Sequence, residues 1–476
     1  MTLPFALGRP RGVGLLVSAA SLAVAGGAAS ALLDSQLHPL VPAALVLAAV
    51  LAWLTVTRPA VVLALALTLS PLESLQLPLG PGALSPTEAA LLLVALGWVA
   101  RAVSGHGRTV WPSWGDAPVI ALVLLALPSA VLGSEIADVA KTAAMWSAFY
   151  LAFLVAKSLD RREVVLVLVS LAVGAAVLGA QGVLSYLSSG GATVSAGGSA
   201  VSGRASSGID DPNYYAAYLQ LAAIPALGLV VGLHGRWRGV ALVAVASSVA
   251  GIVLSLSRGA TLGLALALVL LMSAWSRSRR FAVAAVVALA ATLAVNAGPL
   301  VNSTVYETVS TRLSSVTSGQ SSTNTRLDLW RGAVTLVQQH PEGIGIYRFE
   351  TYAGRMGLVE RGAPLSHAHN SYLNLAAELG LAGITALLVW LGVVARGLWR
   401  ELRRKRPETF AFTVGLSAAF AGWAFQSLTV TLYQVQIIWG TFFVLAGLAA
   451  ALPRFADEQP AEQPVAASAL RTSATT

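Results

Sequence analysis

Apolar residues run through this chain in long, nearly unbroken stretches. Candidate runs fall at 13–33, 39–57, 59–73, 86–103, 117–133, 137–156, 163–187, 213–233, 238–256, 259–275, 280–298, 371–395, 409–429 and 433–452. A helix needs about 20 apolar residues to cross the hydrocarbon core, so most of these runs are long enough and the third is the weakest. In lipid, only helices or a closed barrel satisfy their own backbone groups, and these runs lack the alternation of barrel strands. The pattern therefore predicts an all-α polytopic membrane protein with about 12–14 transmembrane helices. Four segments follow: N-terminal transmembrane helices over 1–298, a large polar loop over 299–370, C-terminal transmembrane helices over 371–452, and a polar, disordered tail over 453–476. The first run follows Arg9 and Arg11 and ends in Leu32, Leu33 and Asp34. It is longer than the apolar core of about 7–15 residues in a cleaved signal, and it reads as a retained span.

Composition agrees with the pattern. The chain of 476 residues is 56% hydrophobic and 11% charged, where a soluble domain carries about 25% charged residues. Its net charge of +9 excludes little by itself. The basic residues sit in short clusters between apolar runs, as topology signals do, and not as a groove for nucleic acid. The absence of cysteine removes disulfides, thiolate metal sites and a cysteine nucleophile.

The connections sort by charge. One set carries Arg9 and Arg11, Arg58, Arg101 and Arg108, then Lys157, Arg161 and Arg162, then Arg236 and Arg238, then Arg277, Arg279 and Arg280, and last the cluster from Arg396 to Arg406. The alternate set has almost no basic residues in its short members. The positive-inside rule then puts both termini in the cytoplasm. Three polar segments face outward: 188–212, the turn at Ser257-Arg258-Gly259, and the large loop over 299–370.

The candidate chemistry lies on that outer side. In the large loop Thr325 is placed to cap a helix starting at Arg326, with Asp328 answering it. Leu327, Trp330, Val334 and Val337 then share a face, which predicts an amphipathic helix lying on the membrane and ended by Pro341, with Gly343 and Gly345 turning the chain. Arg326 and Arg331 on that helix either meet headgroups or face solvent. The loop closes on Ser366-His367-Ala368-His369-Asn370. Two histidines without a nearby third ligand make a poor zinc site, and a histidine at the mouth of a span suits proton transfer, against a structural reading as a backbone-bonded side chain. Glu378 lies two turns further on, where a carboxylate needs a polar cavity or a partner. Arg258 stands on the side that otherwise avoids positive charge: it snorkels, or it clamps phosphate with its two-pronged guanidinium. Asp211-Pro212-Asn213 reads first as a helix cap, and Arg204 is a further anion-site candidate. Together Arg204, Arg258, Arg326, Arg331 and His369 come from separate segments on one side of the membrane.

At these residues the sequence resembles the O-antigen ligase and polymerase superfamily. The likeness rests on Gly203-Arg204 through Asp211-Pro212-Asn213, Leu256-Ser257-Arg258-Gly259, Thr325-Arg326 through Trp330-Arg331, and His367-Ala368-His369-Asn370 followed at the family's spacing by Gly380. It covers about Ala200–Leu388. The resemblance implies a GT-C-like fold in the bacterial inner membrane, working on the extracytoplasmic face. It implies an undecaprenyl-diphosphate-linked glycan as donor and a glycan, lipid or protein hydroxyl as acceptor. Neither metal nor other cofactor is expected. By motif, His369 would be the base. Arg258 and Arg326 would hold the donor diphosphate with Arg204 and Arg331 in support. Asp211, Asn213, His367, Asn370 and Glu378 would complete the site. A ligase and a polymerase share the donor and differ in acceptor, which leaves the two readings open. A transporter or flippase of lipid-linked saccharides is the rival class, although transporters place their ionisable groups near mid-membrane. A non-catalytic scaffold is a third reading and leaves the cluster without a role.

Overall fold

The computed structural model describes residues 40–79, 82–105, 109–131, 136–189, 192–194, 200–202, 204–209, 211–274, 322–358 and 367–456. The runs at 13–33 and 280–298, much of the large loop and the tail from 457 lie outside the described residues. The described chain is helical almost throughout. Its helices are α1 (Leu40–Thr57), α2 (Pro59–Thr68), α3 (Pro86–Ser104), α4 (Ala117–Val131), α5 (Ile136–Ser158), α6 (Arg161–Ser188) and α7 (Pro212–Gly232). They continue with α8 (Arg236–Leu254), α9 (Arg258–Ala274), α10 (Ser322–Gln339), α11 (Phe349–Arg355), α12 (Ser371–Arg404), α13 (Pro407–Gln426) and α14 (Gln436–Ala451). Two small antiparallel hairpins, β1 (Leu77–Leu79) with β2 (Gly82–Leu84) and β3 (Ala192–Val194) with β4 (Ala200–Ser202), fold back between helices.

Local chemistry sets the helix starts. Ser85 and Glu88 exchange side-chain and backbone bonds at 3.1 and 2.8 Å to open α3, and Asp160 and Glu163 do the same at 2.9 and 3.0 Å for α6. Each box satisfies amides that a helix leaves without partners. In α7 the Asp211 carboxylate accepts from the amides of Asn213 (2.6 Å) and Tyr214 (3.2 Å), and Pro212 supplies the first helical φ.

Among the described residues, seven helices are long and apolar enough to cross a membrane, or eight if one bent pair counts as a single span. That pair is α1 and α2, which meet at 120° at Arg58-Pro59. The expected span over 59–73 is thus corrected: its helix stops at Thr68 after 10 residues, too short to cross alone. α4 and α9, of 15 and 17 residues, are also shorter than the roughly 20 residues of a full crossing.

The bundle packs by α6 against α2, α7 and α8, α7 against α8 and α13, and α5 against α3, α4 and α14. Its centre is aromatic: Trp146, Trp390, Trp423, Trp439, Phe442 and Phe443 are at most 2% exposed. Trp439 stacks on Phe442 with ring centres 5.4 Å apart, and Trp390 lies 4.6 Å from Phe443. Rings of that size bury much apolar surface per side chain and hold neighbouring helices in fixed register.

One break in this order positions the site. At Gly380, inside α12, φ is 69° and ψ is −172°, outside helical values. The segment Pro341–Gly345 docks into the break. Ile344 and Gly345 donate to the carbonyls of Ala377 and Glu378 at 3.0 Å each, and Leu381 donates back to Pro341 at 2.9 Å. A Cβ on Gly343 would lie 2.5 Å from the Glu378 carbonyl oxygen, and one on Gly380 would strike Pro341 O. Glycine is needed at both places for space as well as for positive φ.

Candidate active site

The starts of α7, α9 and α12 gather at one end of the bundle: Tyr214 of α7 reaches His367, and Gly259 of α9 and Ser371 of α12 both meet the segment 427–431. Their amides point there, which favours negative charge. The turn His367-Ala368-His369 is fixed on all sides. The Ala368 amide donates to Asn374 Oδ1 at 2.9 Å, and its carbonyl accepts from Trp330 Nε1 at 2.8 Å. His369 adopts φ 49°, a left-handed backbone that costs a side-chain-bearing residue energy. Its amide donates to His367 Nδ1 at 3.2 Å, and the two rings meet edge to face with centres 4.2 Å apart. The other nitrogen of His367, Nε2, lies 2.5 Å from the Tyr214 hydroxyl. Asn370 then caps α12, its Oδ1 accepting from Tyr372 and Leu373 at 3.0 and 3.1 Å.

Electrostatics separate the histidines from ordinary ones. Burial pushes His369 down from 6.5 to about 4; the Arg326 cation lowers it further and Asp211 opposes. Burial again leads for His367, which falls to about 3 with His369 and Arg326 adding to the effect. Both rings are neutral near pH 7. Arg326 is therefore close enough to act on both, and Asp211 on His369.

The remaining candidates take several positions. Arg204 is 8% exposed and turned inward: Nε donates to the Ser255 carbonyl at 2.7 Å and Nη2 to Asn213 Oδ1 at 2.8 Å. It ties the turn before α9 to the start of α7. Arg258 is the first residue of α9 and is exposed, with Gly259 pressed against Thr429. The segment 427–431 is bonded in turn to Ser371 (Ser371 amide to Ser427 O, 2.7 Å; Ser371 Oγ to Val430 O, 2.9 Å), so Arg258 belongs to the same end as the histidines. Glu378 is fully buried. No cavity is needed to explain it: it accepts from Tyr433 Oη at 2.5 Å, from the Phe349 amide at 3.2 Å and from Gln434 Nε2 at 3.3 Å. Tyr433 Oη also accepts from Asn374 Nδ2 at 2.6 Å, so a continuous hydrogen-bonded path runs from Glu378 to Ala368.

Three expectations about α10 need correction. The helix begins at Ser322, three residues before Thr325, so Thr325 is no cap. Asp328 does not close a capping box; it pairs with Arg331 at 2.9 Å. The buried stripe is Leu329, Ala333 and Leu336, while Leu327 and Val334 are exposed. In that phase Arg326 stands on the inner side. Arg331, about 140° further round at 100° per residue, has a side chain 77% exposed. The structure brings Arg326 to the histidines and leaves Arg331 away from them.

The geometry also adds Tyr214, Asn374 and Tyr433, which the sequence did not single out, and gives Trp330, expected on the apolar face of α10, a bond to the turn. An aromatic with a polar tip directly after a helix cap was the available signal for Tyr214. Among the described residues no group of three His, Cys, Asp or Glu could hold a metal ion.

What this arrangement resembles is a matter of record for one part of the chain. Residues 242–388 match the O-antigen ligase family model. That match supports the likeness to the O-antigen ligase and polymerase superfamily and an activity of that general kind. It spans Arg258, Arg326, His367, His369 and Glu378, and ends before α13. No curated protein is significantly similar to the chain. The match, together with the apolar helices, points to a multi-pass membrane protein, and members of that family generally act on a lipid-linked glycan and an acceptor.

Proposed function

We propose that this protein is a GT-C-like glycosyltransferase on the extracytoplasmic face of the bacterial inner membrane. It moves a glycan from undecaprenyl diphosphate to an acceptor hydroxyl. His369 takes the acceptor proton, and the freed oxygen attacks the anomeric carbon from the side opposite the diphosphate. The bond from that carbon to the diphosphate oxygen breaks, the electron pair leaves with the lipid diphosphate, and the configuration inverts. Arg258 and Arg326 neutralise the charge that develops on the leaving group, an electrostatic task for which fixed guanidinium groups suit better than water. Metal has no part in this reading.

The observation that carries the proposal is the neutral His369 held beside Arg326 at an end where helix starts converge. A neutral imidazole can accept a proton, and the cation beside it gives a diphosphate a place to dock. The flippase reading draws on the breaks at Arg58-Pro59 and Gly380, since broken helices line transport sites. The Gly380 break, however, is filled by Pro341–Gly345, and the ionisable cluster sits at one end of the bundle.

The test is transfer by purified protein in lipid nanodiscs with a lipid-linked oligosaccharide. Repeat-unit and lipid-core acceptors are offered separately. Lengthened lipid-linked chains indicate a polymerase, and single transfer to the core indicates a ligase. His369→Ala is expected to abolish transfer while donor binding persists. Full transfer by that variant, or no transfer by the wild type to either acceptor, overturns the proposal.

A further inference from the structure

We propose that Tyr214 and His367 form a positioning pair that fixes the backbone and ring of His369, with the His367 imidazole held as the Nε2–H tautomer. The inference takes its catalytic meaning from the reading of His369 as base, but its structural content stands apart from it.

The tautomer follows from counting protons. A backbone amide always donates, so His367 Nδ1, 3.2 Å from the His369 amide, must be the unprotonated nitrogen. A neutral ring then carries its proton on Nε2, which donates to the Tyr214 oxygen at 2.5 Å. Both nitrogens of His367 are thereby committed. It cannot take a proton from an acceptor without breaking one of these bonds, whereas among the described residues nothing is bonded to the ring nitrogens of His369, which are left for substrate. This separates the two histidines of one motif into a positioning residue and a base.

The bond to Nδ1 has a second consequence. His369 stands at φ 49°, a conformation that side-chain-bearing residues avoid. The His367 ring accepts the amide exposed by that turn and packs edge-on against the His369 ring. Protonating His367 would place a hydrogen on Nδ1 facing the amide hydrogen and release the turn. Burial and the Arg326 cation both oppose that protonation. The charged and titratable groups facing the pair are Arg326 from α10, Asp211 from the start of α7, and His369 itself.

Tyr214 links this device to the other half of the site. Its amide is held by Asp211, and its neighbour Asn213 accepts from Arg204, whose Nε binds the Ser255 carbonyl three residues before Arg258. The hydroxyl of Tyr214 is thus the joint between the segment carrying Arg258 and the turn carrying His369.

The experiment uses full-length protein in nanodiscs, as wild type, Tyr214→Phe, His367→Asn and His367→Ala. The first readout is independent of transfer: nitrogen NMR of histidine-labelled protein, which contains six histidines, with His367 assigned by its loss in His367→Asn. Wild type is expected to show His367 as the Nε2–H tautomer from about pH 5 to about pH 8, a range in which a free histidine titrates. In Tyr214→Phe the Nε2–H loses its acceptor, so the Nε2 resonance is expected to shift while Nδ1 stays unprotonated on the His369 amide. An Nδ1–H tautomer in wild type overturns the proposal whatever the activity.

The second readout is the rate. Tyr214→Phe is expected to lower kcat about tenfold, the worth of one good hydrogen bond, with KM for the lipid-linked donor little changed. His367→Asn, whose Oδ1 can accept the same amide, is expected to keep more activity than His367→Ala. An unchanged kcat in Tyr214→Phe, or equal losses in the two His367 variants, refutes the pair. Absence of transfer by wild type would remove the proposed function instead, and the tautomer measurement would still decide the pairing.

Discussion

At one end of the bundle Arg454 reaches the carbonyls of Lys157 and Leu159, Arg406 donates to Pro453 O at 3.2 Å, and Lys157 pairs with Asp116 at 2.6 Å. The other end holds a turn with two neutral histidines, on which Arg326 acts, and also Arg204 and Arg258. The first group ties helix ends together: α5 to the segment after α14, the start of α13 to the same segment, and the entry to α4 to the end of α5. The backbone differs as well. Among the described residues four without glycine's freedom have positive φ, namely Leu256, Tyr347, His369 and Lys405. Lys405 ends α12, where a left-handed residue is an ordinary helix stop. The other three belong to the end that holds the histidines. Strain at that end, and its absence as anything but a cap at the other, is the pattern expected when one end is built for stability and one for chemistry.

The contrast is broken or sharpened first by a pair of substitutions. His369→Ala is expected to lower transfer by about a hundredfold or more, the usual worth of a general base, with no loss of thermal stability. Lys157→Ala should do the reverse. It strands Asp116, whose side chain is 6% exposed, and breaking a buried pair costs about 3 kcal/mol. Unfolding in detergent reads that loss, and transfer per folded molecule should stay at the wild-type level. If His369→Ala lowers stability as much as Lys157→Ala does, the division between the two ends fails.

A smaller effect separates the arginines. Arg258→Lys keeps the charge and loses the two-pronged contact, so turnover is expected to drop about tenfold, while Arg406→Lys leaves turnover unchanged. Arg326→Gln is read in the pH profile. The Arg326 cation holds His369 down; without it the pKa rises. The neutral base is present above its pKa and is lost as pH falls through it, so the acid limb of kcat moves to higher pH. A limb that moves to lower pH, or not at all, means that Arg326 does not act on His369.

Much of this end was legible from sequence because its signals are local. Asp211-Pro212 is a cap, the apolar runs are helices, and His367-Ala368-His369-Asn370 sits at a helix mouth. What escaped depends on contacts between distant segments. Gly380 interrupts α12 because Pro341–Gly345, more than thirty residues earlier, docks there; nothing in the apolar run at 371–395 signals that. Glu378 asked for a partner, and its partners Tyr433, Gln434 and the Phe349 amide come from two other segments. Tyr214 was not singled out, since its role lies in one hydroxyl reaching His367. Arg331 was grouped with Arg326 because both lie on one amphipathic helix. Periodicity gave the helix but not its phase: the large residues Leu327 and Val334 suggested one stripe, and the smaller Ala333 lies in the buried one.

That error of phase yields the smallest expected effect. The Arg331 side chain is 77% exposed and its Asp328 partner 52% exposed, at a spacing of three residues on one helix. An exposed pair of this kind is worth at most about 0.5 kcal/mol, because water and salt screen it and two flexible side chains must be ordered to form it. Arg331→Ala is therefore expected to leave stability, turnover and the pH profile close to wild type, whereas Arg326→Ala one turn earlier changes the last two. The pair of variants tests orientation alone, since both residues are arginines on α10. A loss of turnover in Arg331→Ala comparable to that in Arg326→Ala would mean that α10 rotates to bring Arg331 inward when substrate binds, and the assignment of the inner face to Arg326, Leu329, Ala333 and Leu336 would hold only for the unliganded protein.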